Sequence, residues 1–225
     1  MQWIKEFQLF LFDFDGLLVN TEEIHYLAYK RMCKNRGVDL EWDFDQYCRI
    51  AHYSADGLRE QIYAQYPKLR DREPLWDILY AEKKRAVAEL LHEGAVHLMP
   101  GVMELLIALD DASIPRCVVT HSPDELVVIA KNKNPVLNTI PVWFTREHYS
   151  QPKPHPECYL MAIEALSRAG DKVVGFEDTP RGLKALLATR AKPILISQVN
   201  YPEIPSFIEK GAQHFPSFER IIDLQ

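Results

Sequence analysis

The sequence predicts an α/β fold: a parallel sheet covered by helices on both faces, with a separate helical domain inserted after the first strand. From residue 99 onward, short apolar segments alternate with segments of helical periodicity, a pattern typical of a parallel sheet with both faces covered. Before that point a single strand-like segment, 8–14, is followed by a long stretch without a strand pattern. These two observations carry the prediction.

The first strand is predicted at 8–14, where an apolar and aromatic run leads into the turn-forming pair Asp15-Gly16. Asn20 with Glu23 three residues later indicates a helix start, and the apolar periodicity that follows stops at Gly37. The first strand is therefore followed directly by a helix.

From there to about residue 97 the chain has helical character. Apolar residues recur at helical spacing in 58–62 and in 76–91, with turn-like pairs at Tyr66-Pro67 and Glu73-Pro74 between them. A segment of this length is too long to be a loop. We therefore predict a helical domain at 20–95, inserted into a core formed by 1–19 and 96–225.

The pattern of the remaining residues, 96–225, predicts the rest of the core, which we expect to be a Rossmann-like parallel sheet. Ligands of such sheets bind at the carboxyl ends of the strands. The predicted helices are 102–111, 123–131, 156–168 and 180–189, and the predicted strands are 116–120, 142–144, 173–176 and 193–196.

Composition and charge narrow the range of functions that the protein could have. The formal net charge of -6 argues against broad binding of nucleic acid or anionic membranes, which requires clustered Lys and Arg. The four cysteines are widely spaced and form no C-x-x-C pair, so we expect neither a disulfide framework nor a thiolate zinc site. No apolar run reaches the ~18 residues that span a membrane. We therefore expect a soluble cytoplasmic protein.

Polar residues recur at the carboxyl ends of the predicted strands. Converging carboxylates need a positive charge among them, and Mg²⁺ with oxygen ligands supplies it. A hydroxyl and an ammonium facing the same point suit a phosphoryl group, and a carboxylate can act as its nucleophile. The residues are Asp13, Asp15, Thr120, Lys153, Glu177 and Asp178.

Each of these residues also has an ordinary structural interpretation. A D-x-D pattern is common, Thr120 alone is typical of a strand end or helix cap, and Lys153 alone is typical of a solvated surface. Glu177 and Asp178 before a helix would favour its dipole. Their joint placement at successive strand ends favours a shared site.

The same residues resemble the four motifs of the haloacid dehalogenase-like superfamily. The first motif, L-F-D-F-D-G-L-L-V-N-T-E at 11–22, is similar to that of the β-phosphoglucomutase and phosphoglycolate phosphatase branch. The resemblance covers nearly the whole chain. The other motifs follow in the family's order: Thr120 in V-V-T-H-S, Lys153 in K-P-H-P-E, and Glu177-Asp178 in G-F-E-D-T-P-R-G.

The resemblance implies that Asp13 is the nucleophile and that Asp15 protonates the leaving group and then activates water. An acid at the second position disfavours dehalogenation, because a halide leaves without a proton. The phosphoryl oxygens would be held by Thr120 and the backbone N–H of His121, while Lys153 neutralises charge and links Asp13 to the phosphate.

The resemblance also implies a Mg²⁺ site and a cap. Mg²⁺ would be held by the Asp13 side chain, the Asp15 backbone carbonyl and Asp178, with Glu177 bound directly or through water. The helical domain at 20–95 would be the cap, which closes over the site to exclude water.

Residues of the predicted cap are candidates for substrate binding. The loop that reads the substrate in this branch corresponds to 49–54, where Arg49, His52 and Ser54 could bind, although the Gly common in that loop is missing. His25 falls near a position that helps to place the acid–base aspartate in the mutases. The segment 132–151 fits the family pattern poorly.

The sequence favours a phosphatase that acts on a small phosphorylated metabolite, and we expect a monomer or a dimer. A phosphosugar mutase of the β-phosphoglucomutase kind is the alternative, since the four motifs do not separate the two. A response-regulator receiver domain is disfavoured, because receivers are shorter and place their paired acids one strand before the phosphoacceptor. A catalytically silent binding protein is the third possibility, which a turnover assay would decide.

Overall fold

The computed structural model describes residues 1–53, 55–94 and 96–221, and the chain divides into two compact units. We call Met1–Asn20 with His97–Gln225 the core unit and Thr21–Val96 the helical unit. The helical unit is thus inserted after the first strand. It begins and ends one residue later than the predicted 20–95.

The core unit contains one parallel sheet with the strand order β3-β2-β1-β4-β5-β6. This confirms the predicted α/β class. The strands are β1 (Leu9–Phe12), β2 (Arg116–Val119), β3 (Val142–Phe144), β4 (Val173–Glu177), β5 (Lys192–Ile196) and β6 (Gln213–Phe215).

Helices fill both units. In the described part of the chain, none of them combines the length and the apolar character needed to cross a membrane. The helical unit contains α1 (Thr21–Asn35), α2 (Phe44–Ala51), α3 (Ala55–Gln65), α4 (Pro67–Arg72) and α5 (Trp76–His92). The core unit contains α6 (Val102–Asp111), α7 (Asp124–Lys133), α8 (Glu157–Leu166), α9 (Pro180–Leu187) and α10 (Ile204–Glu209), with 3₁₀ turns at Trp3–Glu6, Pro135–Thr139 and Phe218–Arg220.

Strand β1 lies in the centre of the sheet, and its two faces are packed differently. Leu9 and Leu11 belong to an apolar cluster with residues of α8 and α9. Because side chains alternate along a strand, Phe12 points to the other face, where its ring stacks on Phe176 at 5.3 Å between centroids. An aromatic pair of this kind stabilises by about 0.5–1.5 kcal/mol beyond its buried area. β1 is therefore packed on both faces, and this packing fixes the position of the aspartate that follows the strand.

A tight turn follows β1. Gly16 has a φ of 75°, a conformation that glycine adopts without steric cost. Its N–H donates to Val19 O at 2.8 Å, and Asp15 pairs with Val19 in an isolated bridge. The turn thus fixes the backbone of Asp15 two residues beyond Asp13.

Some elements differ from the sequence prediction. Residues 67–72 form the short helix α4 between the two turn-like pairs, and Pro67 occupies its first turn, where the missing N–H is not needed. Arg49 lies in α2, whereas the sequence predicted a loop at 49–54. The short elements α10 and β6 were not predicted.

Candidate active site

Asp13 and Lys153 form a buried ion pair at the carboxyl end of the sheet. Asp13 directly follows β1, and its N–H donates to Phe176 O at 3.0 Å, which keeps its backbone in register with β4. Lys153 comes from the connection between β3 and α8, and its Nζ lies 2.5 Å from Asp13 Oδ1 and 2.9 Å from Val119 O. Two residues 140 positions apart are thus joined at one point.

The same ammonium also contacts an acid and a tyrosine. Lys153 Nζ lies 2.6 Å from Glu177 Oε1 and 2.9 Å from the hydroxyl of Tyr159. The Tyr159 hydroxyl in turn donates a short hydrogen bond to Glu177 Oε1. Glu177 ends β4, and Tyr159 lies in the first turn of α8. Both side chains are buried.

Burial and neighbouring charges set the protonation states of Lys153 and Glu177. Burial alone lowers the pKa of Lys153, but the carboxylates of Asp13 and Glu177 outweigh it, and the net pKa is raised. Burial raises the pKa of Glu177, although Lys153 acts in the opposite direction. Lys153 therefore remains an ammonium within its buried site.

Gly182 in α9 makes room for Glu177. A Cβ added at Gly182 would lie 2.0 Å from Glu177 Oε2. Such a contact is far below any van der Waals distance, so this position accommodates the carboxylate only as glycine. Thr179 accepts a hydrogen bond from Gly182 N at 3.1 Å, which begins the helix at this point.

Three acids converge beside the lysine. Asp13, Glu177 and Asp178 each offer a carboxylate oxygen, and these oxygens lie within 4.8 Å of one another. All three residues are buried. Carboxylate oxygens at this spacing are ligands that hard cations prefer. Lys153 supplies one positive charge among three acids, so the donor set fits a divalent ion.

Asp15 points to hydroxyl groups of the segment after β2. Its Oδ2 accepts hydrogen bonds from Thr120 Oγ1 at 3.2 Å and from Ser122 Oγ at 2.5 Å. Thr120 Oγ1 also accepts the Ser122 N–H at 2.9 Å. The side chain of Asp15 is therefore held by β2-loop hydroxyls, while Asp13 is held by the lysine.

His121 lies next to Thr120 and its side chain is exposed. Its Nδ1 lies 3.1 Å from the hydroxyl of Tyr149, which donates to Thr120 O at 3.0 Å. Partial desolvation lowers the pKa of His121, and the charges of Arg181 and Arg146 act in the same direction. The structure thus brings together every core residue that the sequence predicted: Asp13, Asp15, Thr120, His121, Lys153, Glu177 and Asp178.

The helical unit has a polar cluster of its own. Glu22 Oε1 accepts a hydrogen bond from Tyr47 at 2.8 Å and lies 3.3 Å from His52 Nε2. Burial alone would raise the pKa of Glu22, but His52, His25 and Tyr47 outweigh it and lower the pKa to about 2. His25 Nδ1 lies 2.7 Å from Lys83 Nζ.

The residues predicted to read the substrate thus have different surroundings. His25 and His52 belong to the polar cluster. Arg49 instead pairs with Asp45 at 2.9 Å on the surface of α2, with half of its side chain exposed. Ser54 lies outside the described residues.

Sequence reasoning missed four residues of these networks. Tyr159 lies on the apolar face of α8, where the sequence indicates only packing, and Gly182 stands in the fourth motif without an assigned role. Ser122 stands in the second motif, V-V-T-H-S, which assigns it no role. Lys83 resembles the many exposed lysines of amphipathic helices, yet it is only 6% exposed.

The fold and this arrangement of an aspartate, a lysine and an acidic pair are those of an enzyme of the haloacid dehalogenase-like phosphatase kind. The chain belongs to the haloacid dehalogenase-like hydrolases, whose family model matches residues 10–196. The resemblance read from the motifs is thereby confirmed.

Individual relatives agree with this assignment. The protein CbbY of Cereibacter sphaeroides is 31% identical over 182 residues, which cover 78% of this chain and 77% of that protein. Phosphorylated carbohydrates phosphatase of Thermotoga maritima is 26% identical over 219 residues, covering 95% and 96%. The crystal structure of CbbY from Rhodobacter sphaeroides in complex with phosphate has a TM-score of 0.72 at 24% identity, with 97% of each chain covered; it establishes the likeness of fold.

Proposed function

We propose that this protein hydrolyses a small phosphomonoester of the sugar phosphate class, with Mg²⁺ bound and through an aspartyl-phosphate on Asp13. The observation that carries the proposal is the 2.5 Å contact between Asp13 Oδ1 and Lys153 Nζ beside a cluster of three buried carboxylates. A carboxylate fixed by one oxygen leaves the other available as a nucleophile. The relative from Thermotoga maritima, named a phosphorylated carbohydrates phosphatase, supports the substrate class.

The reaction would run in two steps. In the first, a bond forms between Asp13 and phosphorus while the ester bond breaks, and Asp15 gives its proton to the leaving oxygen. In the second, Asp15 takes a proton from water, which attacks phosphorus and releases inorganic phosphate and free Asp13. The hydrogen bond from Ser122 to Asp15 Oδ2 orients the acid for both steps.

The phosphoryl group would be held by groups around Asp13. Lys153 would neutralise its charge, and the backbone N–H of His121 would donate to it. The Thr120 hydroxyl, which donates to Asp15 in this structure, would turn to a phosphoryl oxygen. Positioning and charge neutralisation are what phosphoryl transfer requires most.

The metal would be held by the side chains of Asp13, Asp178 and Glu177, together with the backbone carbonyl of Asp15. The chemistry of the donor set fits Mg²⁺, since three buried carboxylates within 4.8 Å of one another are hard oxygen ligands. When bound, Mg²⁺ supplies positive charge that stabilises the transferring phosphoryl group.

We also propose that the helical unit serves as the cap that selects the substrate. His25, His52 and Lys83 are polar groups that could recognise the hydroxyl groups of a sugar phosphate. Arg49 and Ser54 are further candidate substrate residues, and Arg49 would exchange its contact with Asp45 for a substrate anion.

The test is release of inorganic phosphate from a panel of small phosphomonoesters, with Mg²⁺ and with chelator, for the wild type and for Asp13→Asn. We expect Mg²⁺-dependent release that falls by about 10³-fold or more in the variant, because an amide is a poor nucleophile and lacks the charge that binds metal. Asp111→Asn, at the exposed end of α6, is the matched control and should keep wild-type activity.

Two results would count against the proposal. Retention of a tenth of the wild-type rate by Asp13→Asn would exclude the covalent mechanism. Absence of release from every compound would favour a phosphosugar mutase or a silent binding protein. Phosphate label that stays on acid-quenched wild type but not on Asp13→Asn would identify the intermediate directly.

A further inference from the structure

Tyr159 is a fully buried tyrosine whose hydroxyl reaches the charged site from the apolar core. Its ring belongs to the cluster that contains Leu11 and Cys117. The hydroxyl lies between Lys153 Nζ at 2.9 Å and Glu177 Oε1. We infer that Tyr159 is a positioning residue that sets how Lys153 is shared between Asp13 and Glu177, an inference that rests on the proposed function of this site.

The count of hydrogen-bond donors supports this role. An ammonium has three N–H donors, yet four oxygens lie within 2.9 Å of Lys153 Nζ: those of Asp13, Glu177, Val119 and Tyr159. The oxygens therefore compete for the lysine. The hydroxyl of Tyr159 has one proton, and it donates that proton to Glu177 Oε1.

The consequence concerns the charge balance around the lysine. Because Tyr159 donates to Glu177, part of the negative charge of that carboxylate is satisfied without Lys153. Gly182 leaves no free space on the other side, since Glu177 Oε2 lies 2.0 Å from where its Cβ would be. Without the hydroxyl, Glu177 would draw Lys153 more strongly, and the Lys153–Asp13 contact would weaken.

Packing alone does not need the hydroxyl. The ring of Tyr159 packs in the apolar cluster, and its centroid lies 4.8 Å from Lys153 Nζ. A phenylalanine would keep both the packing and the ring contact. The hydroxyl thus has a separable role, and one substitution isolates it.

The experiment compares Tyr159→Phe with the wild type in kcat, in KM and in Mg²⁺ affinity measured by calorimetry. We expect kcat to fall by roughly 10- to 100-fold, the usual worth of hydrogen bonds to charged groups, while KM stays within about twofold because Tyr159 acts through Lys153 and Glu177. The Mg²⁺ dissociation constant should rise several-fold, since Glu177 loses a donor that orients it. The matched control is Ile163→Val, one turn further along α8 in the same cluster, which loosens the helix without touching the hydroxyl.

The outcomes separate this inference from the proposed function. Wild-type turnover with an unchanged kcat in Tyr159→Phe overturns the inference alone, as does an equal fall in kcat in Ile163→Val at a matched loss of thermal stability. If the wild type releases no phosphate, the proposed function fails and calorimetry decides: weaker Mg²⁺ binding in Tyr159→Phe supports the positioning role, and unchanged binding overturns it.

Discussion

The core unit and the helical unit each bury a lysine, but they surround it with different groups. In the core unit, Lys153 lies between the carboxylates of Asp13 and Glu177 at 2.5 and 2.6 Å. In the helical unit, Lys83 contacts the ring nitrogen of His25 at 2.7 Å and lies 5.0 Å from the ring centroid of Tyr29. Lys153 is held by ion pairs, while the contacts of Lys83 include a titratable ring and an aromatic face.

Because the two lysines have different surroundings, we expect the core unit to set the rate and the helical unit to set the choice of substrate. Ion pairs within a buried network hold a charge in one geometry, which suits a chemical step that is the same for every phosphomonoester. A histidine and aromatic rings can exchange their contacts for those of a ligand more easily. We therefore expect substitutions in the core to lower turnover of all substrates, and those in the helical unit to change discrimination and stability.

Among the further tests, the largest effect on turnover is expected from Asp15→Asn. The rate should fall by roughly 10²-fold or more on a sugar phosphate, the usual worth of general acid–base catalysis, while Mg²⁺ affinity is retained. Cleavage of an aryl phosphate should suffer less in the first step, since its leaving group needs no proton. Comparison of single-turnover rates on both substrates measures this. Unchanged rates on the poor leaving group would remove Asp15 from the mechanism.

A smaller effect is expected from Gly182→Ala, which tests how closely the core network is packed. The new Cβ would displace the carboxylate of Glu177, so we expect kcat to fall about tenfold and the free energy of unfolding to drop by about 1–3 kcal/mol. The matched control is Gly175→Ala in β4, where a Cβ would lie 2.5 Å from Leu186 Cδ2 in the apolar core. Urea unfolding and steady-state rates distinguish the two. Equal loss of kcat in both variants would show that only packing matters.

The core could be predicted from sequence to a large extent, for a physical reason. A parallel strand buried on both faces is apolar along its whole length. The segments 8–14 and 173–176 could therefore be recognised as strands. The polar residues at their carboxyl ends then indicated the edge of the sheet where a ligand binds. Short elements lack such a signal. The three-residue strand β6 and the six-residue helix α10 contain too few residues for a periodicity.

The site residues that the sequence did not predict depend on contacts between residues far apart in sequence. The Tyr159 hydroxyl is 18 residues from Glu177 in sequence, and Ser122 is 107 residues from Asp15. Nothing in the local pattern of α8 indicates that one side chain of its apolar face ends in a polar contact. In the helical unit, the pairing of His25 with Lys83 spans 58 residues and joins two helices whose lysines and histidines look solvated.

The last prediction concerns stability instead of turnover, and it tests the helical unit. Burial lowers the pKa of His25 to about 4; Lys83 acts in the same direction and Glu22 opposes it. Because the folded pKa lies below the ordinary 6.5, the folded state binds fewer protons than the unfolded state between these values. The free energy of unfolding should therefore fall by up to about 3 kcal/mol as the pH drops from 6.5 to 4.

The measurement is urea unfolding at pH 7 and at pH 4 for wild type, His25→Gln and His92→Gln. His25→Gln should lose this part of the pH dependence, whereas His92→Gln, at the exposed end of α5, should retain it. An identical pH dependence in all three proteins would mean that His25 is solvated and does not contact Lys83. The contrast between a lysine held by carboxylates and one held by a neutral histidine would then no longer hold.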